Sequence, residues 1–99
     1  MVKTISWKPK ASQQYHEIIR YLKAEFSEAV AEKFVRRVTE KTELLARYPE
    51  SGQPTRYKTI RRKKIGRYNY FYYRISGAKI IILFIWDGRM DPDRNPYRK

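Results

Sequence analysis

The sequence predicts an α+β domain in which a helical hairpin packs on a mainly antiparallel four-stranded sheet, in the order β-α-α-β-β-β. Three observations lead to this prediction. Apolar residues recur at helical spacing over residues 9–45, and the pattern changes to that of strands from residue 57 onward. The chain has 99 residues, close to the common size for one hydrophobic core. We therefore expect residues 1–99 to form a single domain.

A short strand and a helix come first. Residues 2–7, VKTISW, have strand character. Pro9 suits the first turn of a helix, where its missing N–H costs nothing. We expect this helix to run from about residue 9 to about residue 26 because an apolar stripe follows at helical spacing. The stripe consists of Ala11, Tyr15, Ile18, Ile19, Leu22 and Phe26.

A second helix should follow at once and fold back on the first. Ser27 can cap its amino-terminal end. The helix should end near Tyr48, because Pro49 disfavours the α conformation in the residue before it. The link between the two helices is so short that they should form an antiparallel hairpin. The second buried stripe consists of Val30, Phe34, Val38 and Leu45.

Three strands are predicted after the hairpin. Residues 57–65 and 68–75 are rich in residues that favour strands, and Ser76 with Gly77 indicates a hairpin turn. Residues 79–86, KIIILFIW, are apolar on both faces. We therefore expect this last strand to lie between two others.

Charge is the strongest compositional signal of function. The formal net charge is +13, and residues 51–86 contain nine basic side chains and no acidic one. Because such charge repels itself, we expect a polyanionic partner, either nucleic acid or an acidic protein. Protection of an edge strand from aggregation would explain only a few of the charges. The nine residues are Arg56, Lys58, Arg61, Arg62, Lys63, Lys64, Arg67, Arg74 and Lys79.

Several kinds of site are disfavoured. The chain has no cysteine, which rules out disulfides and thiolate chemistry. Its lone histidine, His16, falls on the surface side of the first helix, so catalysis by histidine is not expected. Asp87, Asp91 and Asp93 could bind a divalent cation, but arginines and prolines lie among them and favour turns and ion pairs. We expect no metal and no cofactor.

The expected compartment is the cytoplasm. The amino-terminal residues lack the apolar core of a signal peptide. The longest apolar run, residues 80–86, is far too short to cross a bilayer. We therefore expect a cytoplasmic protein without membrane contact.

The strand at residues 68–75 has two predicted faces. If the face with Phe71, Tyr73 and Ile75 meets the helices, the other face forms an outer surface suited to stacking on bases or docking a peptide. That these tyrosines are ordinary sheet residues stays open. The outer surface would consist of Tyr68, Tyr70, Tyr72 and Arg74.

A set of motifs in order resembles the RelE/ParE superfamily, the toxins of bacterial type II toxin–antitoxin modules. The first are WKPKA at residues 7–11, IIRYL at 18–22, AEKFV at 31–35 and LLARYPESG at 44–52. The basic and aromatic strand segment IRRKKIGRYNYFYYRI follows at 60–75, and IIILFIWDGRMDP follows at 80–92. The similarity covers nearly the whole chain.

The resemblance implies a small growth-inhibiting toxin, of a class linked to plasmid stabilization, that a cognate antitoxin wraps in a hetero-oligomer. RelE-like members cleave messenger RNA in the ribosomal A site, whereas ParE-like members poison DNA gyrase. We expect ribosome-dependent mRNA cleavage. The alternative is a gyrase inhibitor that docks without catalysis, and a decayed relative that only binds its antitoxin is a third interpretation.

For RNA cleavage, the resemblance implies a metal-independent site built from basic strand residues, a terminal arginine and a carboxy-terminal tyrosine. Arg61 or Arg62 can fill the first strand position. The implied catalytic residues are Arg61, Lys63, Arg67, Arg89 and Tyr97. The implied nucleic-acid-binding residues are Arg56, Lys58, Arg62, Lys64, Tyr68, Tyr70, Tyr72, Arg74 and Arg98.

The chemistry fits these residue types in part. Attack by a 2′-OH group requires a base, an acid and stabilisation of charge on phosphorus. Arginines can stabilise that charge, but their pKa exceeds about 12, so they are poor bases. Lys63 with a lowered pKa, or Tyr97, could serve as base or acid. Such a site depends on the ribosome to position its substrate.

Overall fold

Two helices and five strands make up residues 2–88, the part of the chain that this computed structural model describes. The elements are β1 (Thr4–Trp7), α1 (Pro9–Glu25), α2 (Glu28–Arg47), a 3₁₀ turn (Pro49–Ser51), β2 (Gln53–Pro54), β3 (Arg61–Lys64), β4 (Asn69–Ser76) and β5 (Lys79–Asp87). The α+β class, the helical hairpin and the helix ends agree with the sequence prediction to within about one residue.

The sheet has five strands, so the prediction of four was wrong. Its order is β1-β5-β4-β3-β2, with β1 parallel to β5 and every other pair antiparallel. The additional strand is β2, which has two residues and pairs with Arg61 and Arg62 of β3. Pro54 lacks an N–H and is tolerated there because β2 lies at the sheet edge.

Predicted signals fix both helix starts. Pro9 is the first residue of α1, and the Ser27 Oγ accepts a 3.1 Å hydrogen bond from the Val30 N–H at the start of α2. Each helix has a buried apolar stripe, as predicted. The buried residues are Ala11, Ile18 and Leu22 in α1 and Ala31, Phe34, Val38 and Leu45 in α2. Phe26, predicted to end the first stripe, is 51% exposed because it follows the last turn of α1.

A β-bulge gives the sheet a hydrophobic cluster on each face. Tyr73 pairs with Ile82 and Tyr72 with Phe84, so Leu83 is an additional residue in β5. Before the bulge, Ile80 and Ile82 pack toward the helices, as Ile85 does after it. Phe84 and Trp86 pack with Tyr72 on the other face, called the outer face below.

The hairpin between β4 and β5 is tight. Ser76 pairs with Lys79, which leaves Gly77 and Ala78 as the two turn residues, one position later than predicted. Gly77 has φ 56°, and no other residue type has a positive φ within residues 2–88. A positive φ at the first turn residue alone is the pattern of a type II′ turn, which matches the twist of the strands.

In residues 2–88, neither helix combines the length and the apolar character needed to cross a membrane.

Candidate functional site

Strand β3 divides its four basic residues between the two faces of the sheet. Residues directly opposite each other in neighbouring strands have side chains on the same face. Arg61 and Lys63 pair with Tyr73 and Phe71, which lie in the helix-side core. Arg62 and Lys64 instead pair with Tyr72 and Tyr70, which belong to the outer cluster. The catalytic candidates of β3 are therefore on the helix side, and its predicted binding residues are on the outer face.

The helix-side pair bonds to the turn that follows α2. The Arg61 Nη1 atom donates to the Gly52 carbonyl at 2.9 Å and to the Glu50 carbonyl at 3.3 Å. The Lys63 Nζ atom donates to the Ser51 Oγ at 3.2 Å. These bonds satisfy polar groups just beyond a helix end, where backbone carbonyls lack partners. Both cations therefore have a structural role in this conformation.

Tyr73 completes the same network. Its hydroxyl donates to the Pro49 carbonyl at 2.7 Å and accepts from the Gly52 N–H at 3.0 Å. Burial raises the pKa of Tyr73 above its ordinary value of 10.0, and the charge of Glu50 adds to the rise. The Gly52 hydrogen bond and Arg61 oppose that rise. The hydroxyl thus stays protonated at neutral pH and remains a donor to Pro49.

A groove of about 570 Å³ lies along the outer edge of the sheet. Two arginines stand beside aromatic rings in this region. The Arg56 guanidinium lies 5.4 Å from the centre of the Tyr57 ring, and that of Arg62 lies 5.0 Å from the Tyr70 ring. No acidic side chain is among the seven that line it. We call it the outer groove, and its lining consists of Gln53, Pro54, Thr55, Arg56, Tyr57, Arg62 and Tyr72.

Hydrogen bonds hold the wall of the outer groove in place. The Thr55 Oγ1 donates to the Ile60 carbonyl at 2.7 Å and accepts from the Tyr57 N–H at 3.1 Å. The Ile60 N–H donates to the Tyr57 carbonyl at 2.8 Å. The Arg62 Nε donates to the Gln53 Oε1 at 3.3 Å. The groove is therefore largely formed before any partner arrives.

The predicted row of outward tyrosines is only partly present. Tyr72 is 3% exposed, because the bulge in β5 turns Phe84 onto the same face, where the two rings make an edge contact at 6.1 Å. Tyr70 is half-buried next to Arg62. Tyr68 is 41% exposed but lies in the loop before β4. The prediction that three tyrosines form one accessible surface was wrong in this respect.

The remaining residues singled out from the sequence do not form one cluster; they lie on different loops, strands and helices. Arg67 is exposed in the loop between β3 and β4, with its guanidinium 5.5 Å from the Tyr68 ring centre. Lys58 is exposed in the loop between β2 and β3, and Arg74 is half-buried in β4. Ile75, expected to meet the helices, is 36% exposed near the β4–β5 turn. His16 is exposed on α1, as expected.

Arg89, Tyr97 and Arg98 lie outside the described residues, as do Asp91 and Asp93. Their predicted roles stay predictions. Within residues 2–88, no group of three or more histidine, cysteine, aspartate or glutamate side chains is arranged to hold a metal ion.

Sequence reasoning missed a buried polar pair at one end of the sheet. Asn69 and Asp87 are 5% and 0% exposed, and the Asn69 Nδ2 donates a hydrogen bond to the Asp87 Oδ2. The next residue, Gly88, donates its N–H to the Tyr68 carbonyl. Asp87 was predicted to form turns and ion pairs; the turn is wrong for this residue, because it is the last residue of β5 and is fully buried. The strand register places it opposite Asn69, which sequence alone does not reveal.

Comparison with protein families identifies the chain. The sequence model of the ParE toxin of type II toxin–antitoxin systems, parDE, matches residues 5–92. The chain belongs to the ParE toxin family. The resemblance of its motifs to the RelE/ParE superfamily is thereby confirmed.

Solved structures share the fold of this ParE-family chain. A chain of the chromosomal ParDE toxin–antitoxin system of P. aeruginosa superposes with a TM-score of 0.75 at 21% identity, covering 87% of this chain and 96% of the other. The YoeB/ParE toxin of Agrobacterium tumefaciens gives 0.62 at 14%, covering 85% and 96%. The RelBE2 toxin–antitoxin complex of Mycobacterium tuberculosis gives 0.60 at 15%, covering 88% and 99%. A search of curated proteins finds no significant match.

Proposed function

We propose that this ParE-family toxin arrests bacterial growth by docking on DNA gyrase, without catalysing a reaction of its own, and that a cognate antitoxin neutralises it. The observation that carries the proposal is the use of Arg61 and Lys63 as structural donors to residues 50–52. Two of the residues expected to perform chemistry are thus engaged in holding the fold. Membership of the ParE family supports the same target, since ParE-like members of the superfamily poison gyrase.

RNA cleavage is less well supported by the described residues. It requires a base, an acid and a phosphate-stabilising group that converge on one reacting nucleotide. Arg61 and Lys63, which the resemblance implies for this chemistry, are hydrogen-bonded to residues 50–52, whereas Arg62 and Lys64, implied to bind the RNA, lie on the opposite face of the sheet. The thickness of the sheet separates the two pairs. A docking protein needs no such convergence.

The outer groove has properties that suit docking. Arginine and tyrosine are enriched among the residues that dominate binding energy at protein interfaces. Arg56, Tyr57 and Arg62 line the groove, and the hydrogen bonds of Thr55 hold its wall. A rigid surface loses less conformational entropy on binding. We therefore place the gyrase contact at the outer groove.

An antitoxin is the second proposed partner. Structures of related fold include one described as a toxin–antitoxin complex and one as a ParDE toxin–antitoxin system. The basic character of residues 51–86 suits a partner with an acidic binding segment. Inducing the protein in bacteria should stop growth, and expressing the protein from the adjacent reading frame should restore it. Unimpaired growth at verified folded expression would contradict the toxin proposal.

Binding to purified gyrase tests the proposed surface. Tyr57→Ala should weaken gyrase binding by about 30-fold if Tyr57 is an interface hot spot of about 2 kcal/mol. Tyr48→Ala is the matched control, because Tyr48 is 62% exposed and lies outside the outer groove. Equal affinity of the two variants for gyrase would show that gyrase contacts another surface of the protein. Failure of the wild-type protein to bind gyrase would reject gyrase as the target.

Ribosome-dependent mRNA cleavage is the second candidate, and the outer groove is the observation that favours it. Its walls offer arginines beside aromatic rings with no acidic neighbour, a combination that also suits single-stranded nucleic acid. Arg89 and Tyr97 keep their predicted roles in this candidate. In a translating extract it predicts cuts at codons in the A site, and Arg89→Ala should reduce them by about 10²–10³-fold.

A further inference from the structure

A second basic groove lies on the helical side of the protein, where α2 passes the loop between β3 and β4. It consists of two adjoining depressions of about 370 Å³ and 330 Å³. Lys33 and Arg37 line both of them. We call the joined depressions the α2 groove. The rest of the lining comprises Arg36, Glu40, Lys41 and Ile65 in the first, and Val30, Phe34, Arg67, Tyr68 and Asn69 in the second.

The side chains that line the α2 groove are mostly basic. Five of its lining side chains are cations, and Glu40 is its one carboxylate. Lys33, Arg37 and Lys41 follow each other at four-residue intervals, so they repeat about every 6 Å along α2. Within residues 2–88, no carboxylate forms an ion pair with Lys33, Arg36 or Arg37. The cations are therefore available to a partner.

Arg37 lies close to the loop backbone at Gly66. A Cβ atom added to Gly66 would lie 2.8 Å from the Arg37 Nη1, so the absence of a side chain at Gly66 makes room for the guanidinium. Arg37 is half-buried, and the groove floor includes Phe34 and Ile65, which are 3% and 2% exposed. A half-buried guanidinium has fewer accessible conformations than an exposed one, so it loses less entropy when its paired donors bind phosphate.

We propose that the α2 groove binds the phosphodiester backbone of a nucleic acid. Cations at a repeat of about 6 Å can supply roughly one positive charge for every two phosphates of a strand, where duplex DNA carries one charge per about 3.4 Å of each strand. At one end, the exposed Tyr68 ring with Arg67 beside it offers a surface on which a base can stack. This surface is separate from the outer groove, so the inference does not depend on gyrase as the target.

Salt-dependent binding of the full-length protein tests the inference. The probes are a single-stranded RNA, a DNA duplex of the same sequence and a poly-glutamate peptide as a phosphate-free polyanion. The groove variant is Lys33→Gln with Arg36→Gln. The control is Arg20→Gln with Arg47→Gln, which removes the same charge from exposed helix positions outside the groove. Any difference between the two variants is therefore a local effect.

The groove variant should lose about two phosphate contacts. Its log–log salt slope should be flatter than that of wild type by about 1.8 on duplex DNA, or about 1.4 on single-stranded RNA. Between about 50 and 200 mM salt, wild type should then lose about 12-fold or about 7-fold more affinity than the variant. The control should change either slope by less than half as much. The probe that shows the flattening identifies the strand type.

Two variants that each remove a negative charge control for misfolding, because a misfolded protein would not bind nucleic acid more tightly. Glu40→Gln removes the groove carboxylate and should tighten nucleic-acid binding, whereas Glu43→Gln, on the same helix but outside the groove, should not. Identical slopes for the groove variant and its control would overturn the proposal. So would weakened binding to poly-glutamate with nucleic-acid binding unchanged, because this would indicate a docking site for acidic proteins.

Discussion

Arg61 reaches across the sheet edge to the turn after α2, and its Nη1 atom donates a 2.9 Å hydrogen bond to the Gly52 carbonyl oxygen. The two residues are nine positions apart in the chain, and β2 lies between them. The bond ties the end of the helical hairpin to β3. Arg61 therefore stabilises the fold by joining β3 to the turn after α2.

Replacing Arg61 should cost stability. Arg61→Ala removes a charged donor from the Gly52 and Glu50 carbonyls, and a hydrogen bond to a charged group contributes about 1.5–3 kcal/mol. Urea unfolding should show a loss of this size. Arg62→Ala is the neighbouring comparison and should lose less than Arg61→Ala, because it breaks one long 3.3 Å bond to Gln53 and an outer-face contact with the Tyr70 ring that contributes about 0.5–1 kcal/mol. Equal losses would show that Arg61 has no special structural role.

Removing the hydroxyl of Tyr73 should also destabilise the protein. Tyr73→Phe leaves the Pro49 carbonyl and the Gly52 N–H without their partner in a buried setting. An unsatisfied buried group costs about 1–3 kcal/mol. The matched control is Tyr48→Phe at a residue that is 62% exposed, and its free energy of unfolding should stay within about 0.5 kcal/mol of wild type.

Stability should fall at alkaline pH, in part through Tyr73. Burial raises the pKa of the folded-state hydroxyl above its ordinary value of 10.0, as it also does for Tyr15. The folded protein then holds a proton that the unfolded chain releases, so this contribution is complete below pH 10.0 and is lost as pH rises through the folded pKa. The free energy of unfolding of wild type should fall more steeply above pH 10.0 than that of Tyr73→Phe. Parallel curves for the two proteins would refute this assignment.

The buried pair at the sheet end predicts an ordered series of variants. Asn69→Ala removes one hydrogen-bond donor from the buried Asp87 carboxylate, and a hydrogen bond to a charged group contributes about 1.5–3 kcal/mol. Asn69→Asp keeps the size of the side chain but replaces the donating amide with a second carboxylate beside Asp87, so it should cost more than Asn69→Ala at neutral pH. Thermal or urea unfolding measures the order. An aspartate variant as stable as wild type would contradict the hydrogen-bond direction.

Much of the helical part could be predicted from the sequence, because its signals are local. Ser27 caps α2 through a neighbouring N–H, and Pro9 begins α1 where its ring is tolerated. Alternation along β3 also separates Arg61 and Lys63 from Arg62 and Lys64, as the two-residue period of a strand requires.

Other features depend on contacts that leave no local pattern. The strand β2 has two residues, too few to show alternation. The bulge at Leu83 falls in a run that is apolar throughout, so the change of face before Phe84 cannot be read from it. The partners of Arg61 are backbone carbonyls, which any residue supplies. For these reasons the structural use of Arg61 and the burial of Tyr72 could not be predicted.

The most direct test of the docking account is a DNA-cleavage assay with purified gyrase. Supercoiled plasmid, ATP and gyrase are incubated with the wild-type protein, with Tyr57→Ala, or with the Tyr48→Ala control, and the DNA is analysed after the protein is denatured. The account predicts that wild type and the control accumulate cleaved plasmid, that Tyr57→Ala accumulates much less, and that mRNA in a translating extract stays whole. Intact plasmid at saturating wild-type protein, together with mRNA cut at A-site codons, would contradict it.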